Sequence, residues 1–201
     1  MTVRGVVFDV GNVLFTWDPR FLYERLIDDD RALDAFLRDV VTHEWHFQHD
    51  AGRPFAETSA ELIAAHPHHR PLIEAWGPRF SESLGPPVDG MIGLVEELDA
   101  RDVPLFAITN FSGEFWAPFR ATQRVFDCFR DIVVSGDERM VKPDREIYEL
   151  ALRRFAIPAE ALIFVDDRSE NVAGAEAVGM RGHLFRDARS LRDELSDLNL
   201  L

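Results

Sequence analysis

The stretch Val6-Val7-Phe8-Asp9-Val10-Gly11-Asn12-Val13-Leu14 (VVFDVGNVL) sets one carboxylate between two apolar runs. The run Val3–Phe8 that leads into it has the aliphatic and aromatic composition of a buried parallel strand. A carboxylate at the end of such a strand is costly in free energy unless a partner stabilises its charge. The stretch therefore predicts a buried strand that ends at Asp9 and an interaction that uses this carboxylate.

Four more apolar runs alternate with helical patterns along the rest of the chain. Helices are predicted at Met91–Arg101, at Asp144–Phe155 with Asp144 as the N-cap, and at Asn171–Val178. This alternation predicts an α/β fold with a doubly wound, Rossmann-like parallel sheet, and an active site at the carboxyl ends of its strands. The further predicted strands are Pro104–Ile108, Asp131–Ser135, Leu162–Val165 and Gly182–Phe185.

Residues 17–87 interrupt this alternation. They carry helical apolar patterns such as RALDAFLRDVV and FAETSAELIAAH, and no convincing strand. Gly85-Pro86-Pro87 ends the segment with residues that stop a helix. We therefore predict an all-helical insertion at 17–87 within an α/β core formed by residues 1–16 and 88–201.

Acidic residues dominate the charge of the chain. Asp and Glu number 36 against 22 Lys and Arg, so the formal net charge is −14 over 201 residues. Such a surface disfavours nucleic acid and anionic membranes as partners, and an anionic substrate would need local positive charge. The single cysteine, Cys128, excludes an internal disulfide and fits a reducing cytosol. No signal peptide or apolar run of membrane-spanning length is present, so a soluble cytoplasmic protein is predicted.

Polar or charged residues that can take part in catalysis follow the first four predicted strands. Asp9 follows the first, Thr109-Asn110 the second, Lys142 opens the helix after the third, and Asp166-Asp167 follow the fourth. These residue types in this order, with a helical insertion after the first strand, resemble the haloacid dehalogenase-like (HAD) hydrolase superfamily with a helical C1-type cap. The resemblance covers essentially the whole chain.

The resemblance implies that Asp9 is a nucleophile that forms an aspartyl-phosphate, which splits one hard displacement into two easier ones. It also implies a Mg²⁺ ion held by the Asp9 carboxylate, the main-chain carbonyl of Gly11 and the acidic pair. Two adjacent carboxylates repel each other unless a cation lies between them, which favours a metal at Asp166-Asp167. Similar enzymes favour Asp167 over Asp166 as the direct ligand.

Phosphate binding is implied for three further residues. Thr109 and the backbone N–H of Asn110 would hold phosphate oxygens, and Lys142 would offset negative charge as a catalytic residue. Asn171 is interpreted as a helix-start residue or a support for the ligands. The resemblance thus predicts a Mg²⁺-dependent phosphatase, a phosphoric monoester hydrolase, acting on a small phosphorylated metabolite such as a sugar phosphate. No oligomeric state is predicted.

Gly11 departs from the commonest pattern of the superfamily, in which an aspartate two places after the nucleophile acts as general acid. The form D-x-G-N-V resembles a bacterial branch that includes a glucose-1-phosphate phosphatase, whose cap carries a stretch like residues 46–52. Two explanations stay open. A sugar 1-phosphate has a relatively acidic leaving group that needs less protonation, or a cap histidine, His46 or His49, supplies the proton.

Two other functions compete with the phosphatase. A 2-haloacid dehalogenase uses the same aspartate attack without metal and also lacks the second aspartate, but Asp166-Asp167 argue against it. A binding or regulatory member of the superfamily would have kept the fold and lost turnover. His43, His46 and His49 recur every third residue, and a solvated or cap-interface face is favoured over a metal site for them.

Overall fold

The five runs predicted as core strands form one parallel sheet in the computed structural model, which describes residues 2–201. The first strand lies in the middle, and the order across the sheet is β5-β4-β1-β6-β7. Val7 of the central strand is in register with Phe106 on one side and Phe164 on the other. The predicted α/β, Rossmann-like fold is confirmed. The strands of the chain are β1 (Gly5–Phe8), β2 (Phe15–Trp17), β3 (Leu84–Pro87), β4 (Leu105–Thr109), β5 (Asp131–Val134), β6 (Leu162–Asp166) and β7 (Arg181–Leu184).

The helices match the predicted patterns closely in the core. The helix after β6 begins at Ser169, two residues before its predicted start, and Asp144 holds the N-cap position without a capping hydrogen bond from its side chain. Among residues 2–201, no helix combines the length and apolar character needed to cross a bilayer. The helices are α1 (Pro19–Tyr23), α2 (Asp30–Asp39), α3 (His43–Asp50), α4 (Phe55–Ala65), α5 (Arg70–Arg79), α6 (Met91–Ala100), α7 (Gly113–Arg120), α8 (Ser135–Glu138), α9 (Arg145–Phe155), α10 (Ser169–Glu176) and α11 (Ala188–Asp197).

The central sheet separates two apolar cores. Because side chains alternate along a strand, Val6 and Phe8 of β1 pack into one core and Val7 into the other. The larger core continues into the helices of the insertion through Tyr23 and Trp76, whose rings stack in parallel at 5.8 Å. The sheet rim and the insertion therefore share continuous packing.

The prediction of no strand within residues 17–87 is wrong at both ends of the segment. Trp17 ends β2, and Leu84–Pro87 form β3, which pairs antiparallel with β2. The Gly-Pro-Pro sequence hides this strand because proline donates no ladder hydrogen bond, yet an edge strand tolerates it. This two-stranded ribbon is where the chain enters and leaves α1–α5, so both connections run side by side.

Candidate active site

The turn after β1 delivers Asp9 to the carboxyl rim of the sheet. The Asp9 N–H donates to the Val165 carbonyl at 2.8 Å, and its carboxylate accepts the Val10 N–H at 2.6 Å. Asn12 adopts the left-handed conformation at φ 56°, which lets the chain double back toward β2. Gly11 lies between them, and a Cβ placed there would meet no atom within 4 Å. Space therefore does not require a glycine at this position.

Lys142 lies between two of the predicted acidic residues. Its Nζ is 2.9 Å from Asp9 Oδ1 and 2.6 Å from Asp166 Oδ2. Asp166 also accepts hydrogen bonds from the Asn171 side chain, at 3.0 and 3.1 Å, and from the Arg168 N–H at 2.9 Å. Each charged group of this buried set has at least one charged or hydrogen-bonding partner, which lowers the cost of keeping it away from water.

The Asn110 side chain fixes the backbone of Lys142, a contact that the sequence did not predict. Its Nδ2 donates to the Lys142 carbonyl at 3.0 Å, and its Oδ1 accepts the Lys142 N–H at 2.8 Å. Thr109 is the last residue of β4 and is buried. Lys142 is the single lysine of a chain that carries 22 Lys and Arg, a signal that could have marked it from sequence alone.

Burial and charge shift the pKa values of this group in opposite directions. Burial raises the pKa of Asp9 to about 7; Lys142 opposes this shift and Asp166 adds to it. Burial disfavours the ammonium form of Lys142, but the Asp166 and Asp9 carboxylates outweigh it and raise the pKa of Lys142. Burial, followed by the charge of Asp166, raises the pKa of Asp167. More negative charge thus gathers at the rim than one lysine neutralises.

The carboxylates of the rim are arranged as metal ligands would be. One oxygen from each of Asp9, Asp166 and Asp167 lies within 4.8 Å of the other two. Hard carboxylate oxygens suit Mg²⁺, and excess negative charge at the rim is what a divalent cation would relieve. Asp167 is more accessible to solvent than Asp166 and lines the adjoining cavity. The donor set therefore fits Mg²⁺.

A cavity of about 260 Å³ lies between the rim and the helical insertion. Its floor is polar and its opposite walls are mostly aromatic. The core contributes Asp9, Val10, Gly11, Asn12, Phe15, Asn110, Phe111, Lys142, Asp167, Arg168 and Asn171 to the floor, and the insertion contributes Trp17, His43, His46, Phe47, Asp50, Phe80 and Leu84 to the walls. Among the sequence-predicted residues, Asp166 lies behind this floor, and Thr109 and His49 do not line the cavity.

The two predicted proton donors of α3, His46 and His49, occupy different environments. His46 stacks against Trp17 at 4.8 Å and Phe80 at 5.8 Å, and burial holds the pKa of His46 well below its usual range. His49 Nε2 lies 2.6 Å from the Thr58 hydroxyl, and burial, then Arg53, lowers the pKa of His49 to about 4. Both rings are therefore neutral near pH 7.

Asp50 is the cavity residue that sequence reasoning missed. It is the last residue of α3, four positions after His46 and thus on the same helix face. Its side chain is 9% exposed, and Oδ2 lies 3.6 Å from His46 Nε2. A carboxylate one turn away from a cavity-facing histidine was the signal available in the sequence.

Comparison with known proteins gives the family. Residues 3–179 match the family model of haloacid dehalogenase-like hydrolases. The chain belongs to this family. The narrower placement in a glucose-1-phosphate phosphatase branch stays a prediction.

Relatives of this HAD hydrolase include proteins named as phosphatases. The sesquiterpene phosphatase astK of Aspergillus oryzae is 29% identical over 210 residues, covering 98% of this chain and 97% of that protein. A phosphoglycolate phosphatase of Yersinia pseudotuberculosis is 24% identical, with 88% and 78% covered. A HAD family enzyme of Bacteroides thetaiotaomicron, solved as its magnesium complex, superposes with a TM-score of 0.71 at 17% identity, covering 94% of this chain and 96% of that one. This last likeness concerns the fold.

Proposed function

We propose that this HAD hydrolase is a Mg²⁺-dependent phosphatase that hydrolyses a small organic phosphate monoester through an aspartyl-phosphate on Asp9. The observation that carries the proposal is the floor of the cavity, where Asp9, Lys142 and the Asp166-Asp167 pair meet. A lone carboxylate would repel a phosphate, whereas a carboxylate beside an ammonium and a cation site can approach it. Residues 17–87 would act as the cap that covers this floor.

The chemistry follows from these positions in two displacements. Asp9 attacks phosphorus, a bond forms between its carboxylate oxygen and phosphorus, and the bond to the leaving alcohol breaks. Water then attacks the aspartyl-phosphate, which releases phosphate and restores the Asp9 carboxylate. Lys142 holds Asp9 in place and offsets charge as it moves onto the phosphate oxygens.

Three carboxylates would hold the metal: Asp9, Asp167 and, behind them, Asp166, with the Gly11 carbonyl as a main-chain ligand. When bound, Mg²⁺ would neutralise part of the negative charge that otherwise separates nucleophile and phosphate. The Asn110 N–H is proposed to bind a phosphate oxygen, and the phosphate contact of Thr109 stays a prediction because Thr109 is buried and does not line the cavity. The Asn110 side chain is already bound to the Lys142 main chain, so its remaining contribution is positioning.

The walls of the cavity favour an apolar leaving group over a sugar. Among the wall residues that the insertion contributes, Trp17, Phe47, Phe80 and Leu84 are aromatic or aliphatic, and His43, His46 and Asp50 are polar. Such a surface gains free energy by covering apolar carbon and offers few partners for sugar hydroxyls. The relative named as a sesquiterpene phosphatase matches nearly the whole chain, which supports a terpenyl phosphate as the substrate class.

A phosphate-release assay tests this proposal. The substrates would be farnesyl monophosphate, glucose 1-phosphate and phosphoglycolate, each with Mg²⁺ and with EDTA. We expect Mg²⁺-dependent release with the highest kcat/KM on farnesyl monophosphate. A preference for glucose 1-phosphate would restore the sugar-phosphate prediction, and halide release from 2-chloropropionate in EDTA would favour the dehalogenase.

A pair of variants on α3 tests the apolar wall. Phe47→Ala removes a cavity-lining ring, and we expect KM for farnesyl monophosphate to rise about tenfold because roughly 1–3 kcal/mol of apolar contact is lost. Gln48→Ala changes the next residue of the same helix, does not line the cavity and serves as the matched control. Equal KM changes in the two variants would contradict the apolar-wall interpretation.

A further inference from the structure

Asp50 is held by the core of the protein although it belongs to the helical insertion. Its carbonyl accepts a hydrogen bond from the Ser135 hydroxyl at 2.6 Å, at the start of α8. The Ser135 Oγ in turn accepts the Phe111 N–H at 3.0 Å, close to the carboxyl end of β4. The end of α3 is thus pinned to the same sheet rim that carries Asp9, and Asp50 keeps a fixed position relative to it.

The Asp50 carboxyl is buried and incompletely satisfied. The residue is 6% exposed, it lines the cavity, and Oδ1 has no hydrogen-bond partner among the described residues. A buried polar atom without a partner costs roughly 1–3 kcal/mol, and a neutral carboxyl bears this burial at a lower cost than a carboxylate does. The part of the Asp50 side chain that remains accessible lines the cavity, so Asp50 can meet a ligand there. The leaving-group oxygen of a phosphate ester on Asp9 would lie in this cavity.

The groups around Asp50 favour its protonated form. Burial, the largest effect, and then the charge of Asp9 raise the pKa of Asp50 to about 8, while the Ser112 N–H and Lys142 act in the opposite direction. On its own helix, His46 Nε2 lies 3.6 Å from Asp50 Oδ2, and the low pKa of His46 leaves this ring neutral near pH 7. At pH 7 Asp50 is therefore a carboxylic acid that carries a proton it can give.

We propose that Asp50 is the general acid and base of this enzyme, donating a proton from the cap side to the leaving-group oxygen in place of the aspartate missing at Gly11. This inference rests on the proposed phosphatase function. It differs from the family's usual arrangement in that the proton comes from the end of α3 rather than from the turn after β1.

The proton balance closes over one turnover. In the first displacement the phosphorus–oxygen bond of the ester breaks, and the Asp50 proton goes to the departing alkoxide, leaving an Asp50 carboxylate. In the second, that carboxylate takes a proton from the attacking water as its oxygen bonds to phosphorus and Asp9 departs. Asp50 ends as it began, protonated, and no further reactant is needed.

The two histidines are weaker candidates for this role on the same geometry. His49 does not line the cavity and engages Thr58 through Nε2. His46 lines the cavity, but its ring is neutral and enclosed by Trp17 and Phe80. A neutral imidazole is a far weaker acid than a carboxylic acid, so His46 is better placed as a part of the cavity wall beside Asp50.

The decisive experiment measures the leaving-group dependence of Asp50→Asn, which keeps the shape and removes the transferable proton. Mg²⁺-loaded wild type and variant are compared on an alkyl phosphate, farnesyl monophosphate, and on 2,4-dinitrophenyl phosphate, whose leaving group needs no proton. We expect kcat to fall about 10²–10⁴-fold on the first substrate and less than about tenfold on the second. Glu44→Gln, on the exposed side of α3, is the matched control and should leave both unchanged.

A second variant keeps the test informative. Gly11→Asp restores an acid at the position where a Cβ has open space, and in the Asp50→Asn background it should recover at least about tenfold in kcat on the alkyl substrate. In wild type, kcat on that substrate should decline as pH rises through about 8, and Asp50→Asn should lack this decline. Equal losses on both substrates, or an unchanged high-pH decline in Asp50→Asn, would overturn the proposal. Absence of phosphate release by the wild type on every ester would instead refute the proposed function itself.

Discussion

The rim of the sheet and the end of α3 face each other across the cavity and treat buried polar groups in opposite ways. At the rim, Lys142 pairs with two carboxylates, and Asp166 accepts three further contacts from Asn171 and Arg168. At the end of α3, Asp50 Oδ1 and His46 Nδ1 are buried without a hydrogen-bond partner among the described residues. The polar groups of the rim thus have partners, although negative charge is in excess there, whereas polar atoms at the end of α3 lack them.

This contrast indicates how the two regions divide the work. The rim is pre-organised, which lowers the cost of holding charges in a fixed geometry during reaction. At the end of α3, a buried carboxyl lines the cavity next to aromatic side chains. The rim therefore suits the proposed phosphoryl chemistry, and the end of α3 suits the proposed recognition and protonation of the leaving group.

The largest effect expected at the rim is the loss of turnover in Asp9→Asn. An amide is a poor nucleophile, so kcat should fall by at least about 10⁴-fold while the fold is retained. Phosphate release measures this loss, and acid-stable trapping of ³²P from labelled substrate should vanish with it. Asp144→Asn, an exposed aspartate that makes no capping bond, is the control and should keep wild-type activity. Phosphate release by Asp9→Asn at more than a hundredth of the wild-type rate would contradict the nucleophile assignment.

Removal of the Lys142 ammonium should lower the free energy of unfolding of the protein. Lys142→Met leaves Asp9 and Asp166 buried without their common partner, and breaking such a pair typically costs about 3–5 kcal/mol. Urea denaturation measures the free energy of unfolding. Added Mg²⁺ should recover part of this loss, because a divalent cation also offsets the carboxylate charge. A loss below about 1 kcal/mol would show that the rim is less tightly coupled than its distances indicate.

At the end of α3, the contribution of Asp50 to the free energy of unfolding should depend on pH. The pKa of Asp50 rises from 3.8 to about 8 on folding, so the native state holds a proton that the unfolded chain releases. This contribution to stability is full below about pH 4 and is lost as pH rises through about 8. Asp50→Asn cannot titrate, so its stability relative to wild type should increase by up to about 4 kcal/mol between pH 5 and pH 8.5. Parallel stability–pH curves for the two proteins would contradict this expectation.

The smallest expected effect is that of Thr58→Val, which tests whether His49 takes part in the reaction. Thr58→Val removes the hydroxyl that lies 2.6 Å from His49 Nε2, and the free energy of unfolding should drop by about 1–2 kcal/mol. Because His49 does not line the cavity, kcat should change by less than about twofold. A tenfold change in kcat in a variant that remains folded would instead favour His49 as a proton donor.

Much of the core could be predicted from the sequence, because each strand is marked by a short apolar run of its own. Three predicted strands, those before Asp9, Thr109 and Asp166, end within one residue of the end of the observed strand. The strand at Leu84–Pro87 could not be predicted from the sequence, because its Gly-Pro-Pro composition is typical of a turn. Its pairing partner, β2, lies about 70 residues earlier in the chain. The role of the Asn110 side chain was missed for the same reason, since its partner, Lys142, is distant in sequence.

The sequence by itself determined the order of strands and helices, the strand-end positions of Asp9 and Asp166-Asp167, and the family to which these motifs belong. These depend on periodicity and on short motifs, which each segment carries alone. Only the tertiary structure decided that Lys142 bridges two carboxylates, that His49 is turned from the cavity, and that Asp50 faces it. Burial and hydrogen-bond partners come from residues far apart in the chain, and they set the protonation state on which the proposed chemistry depends.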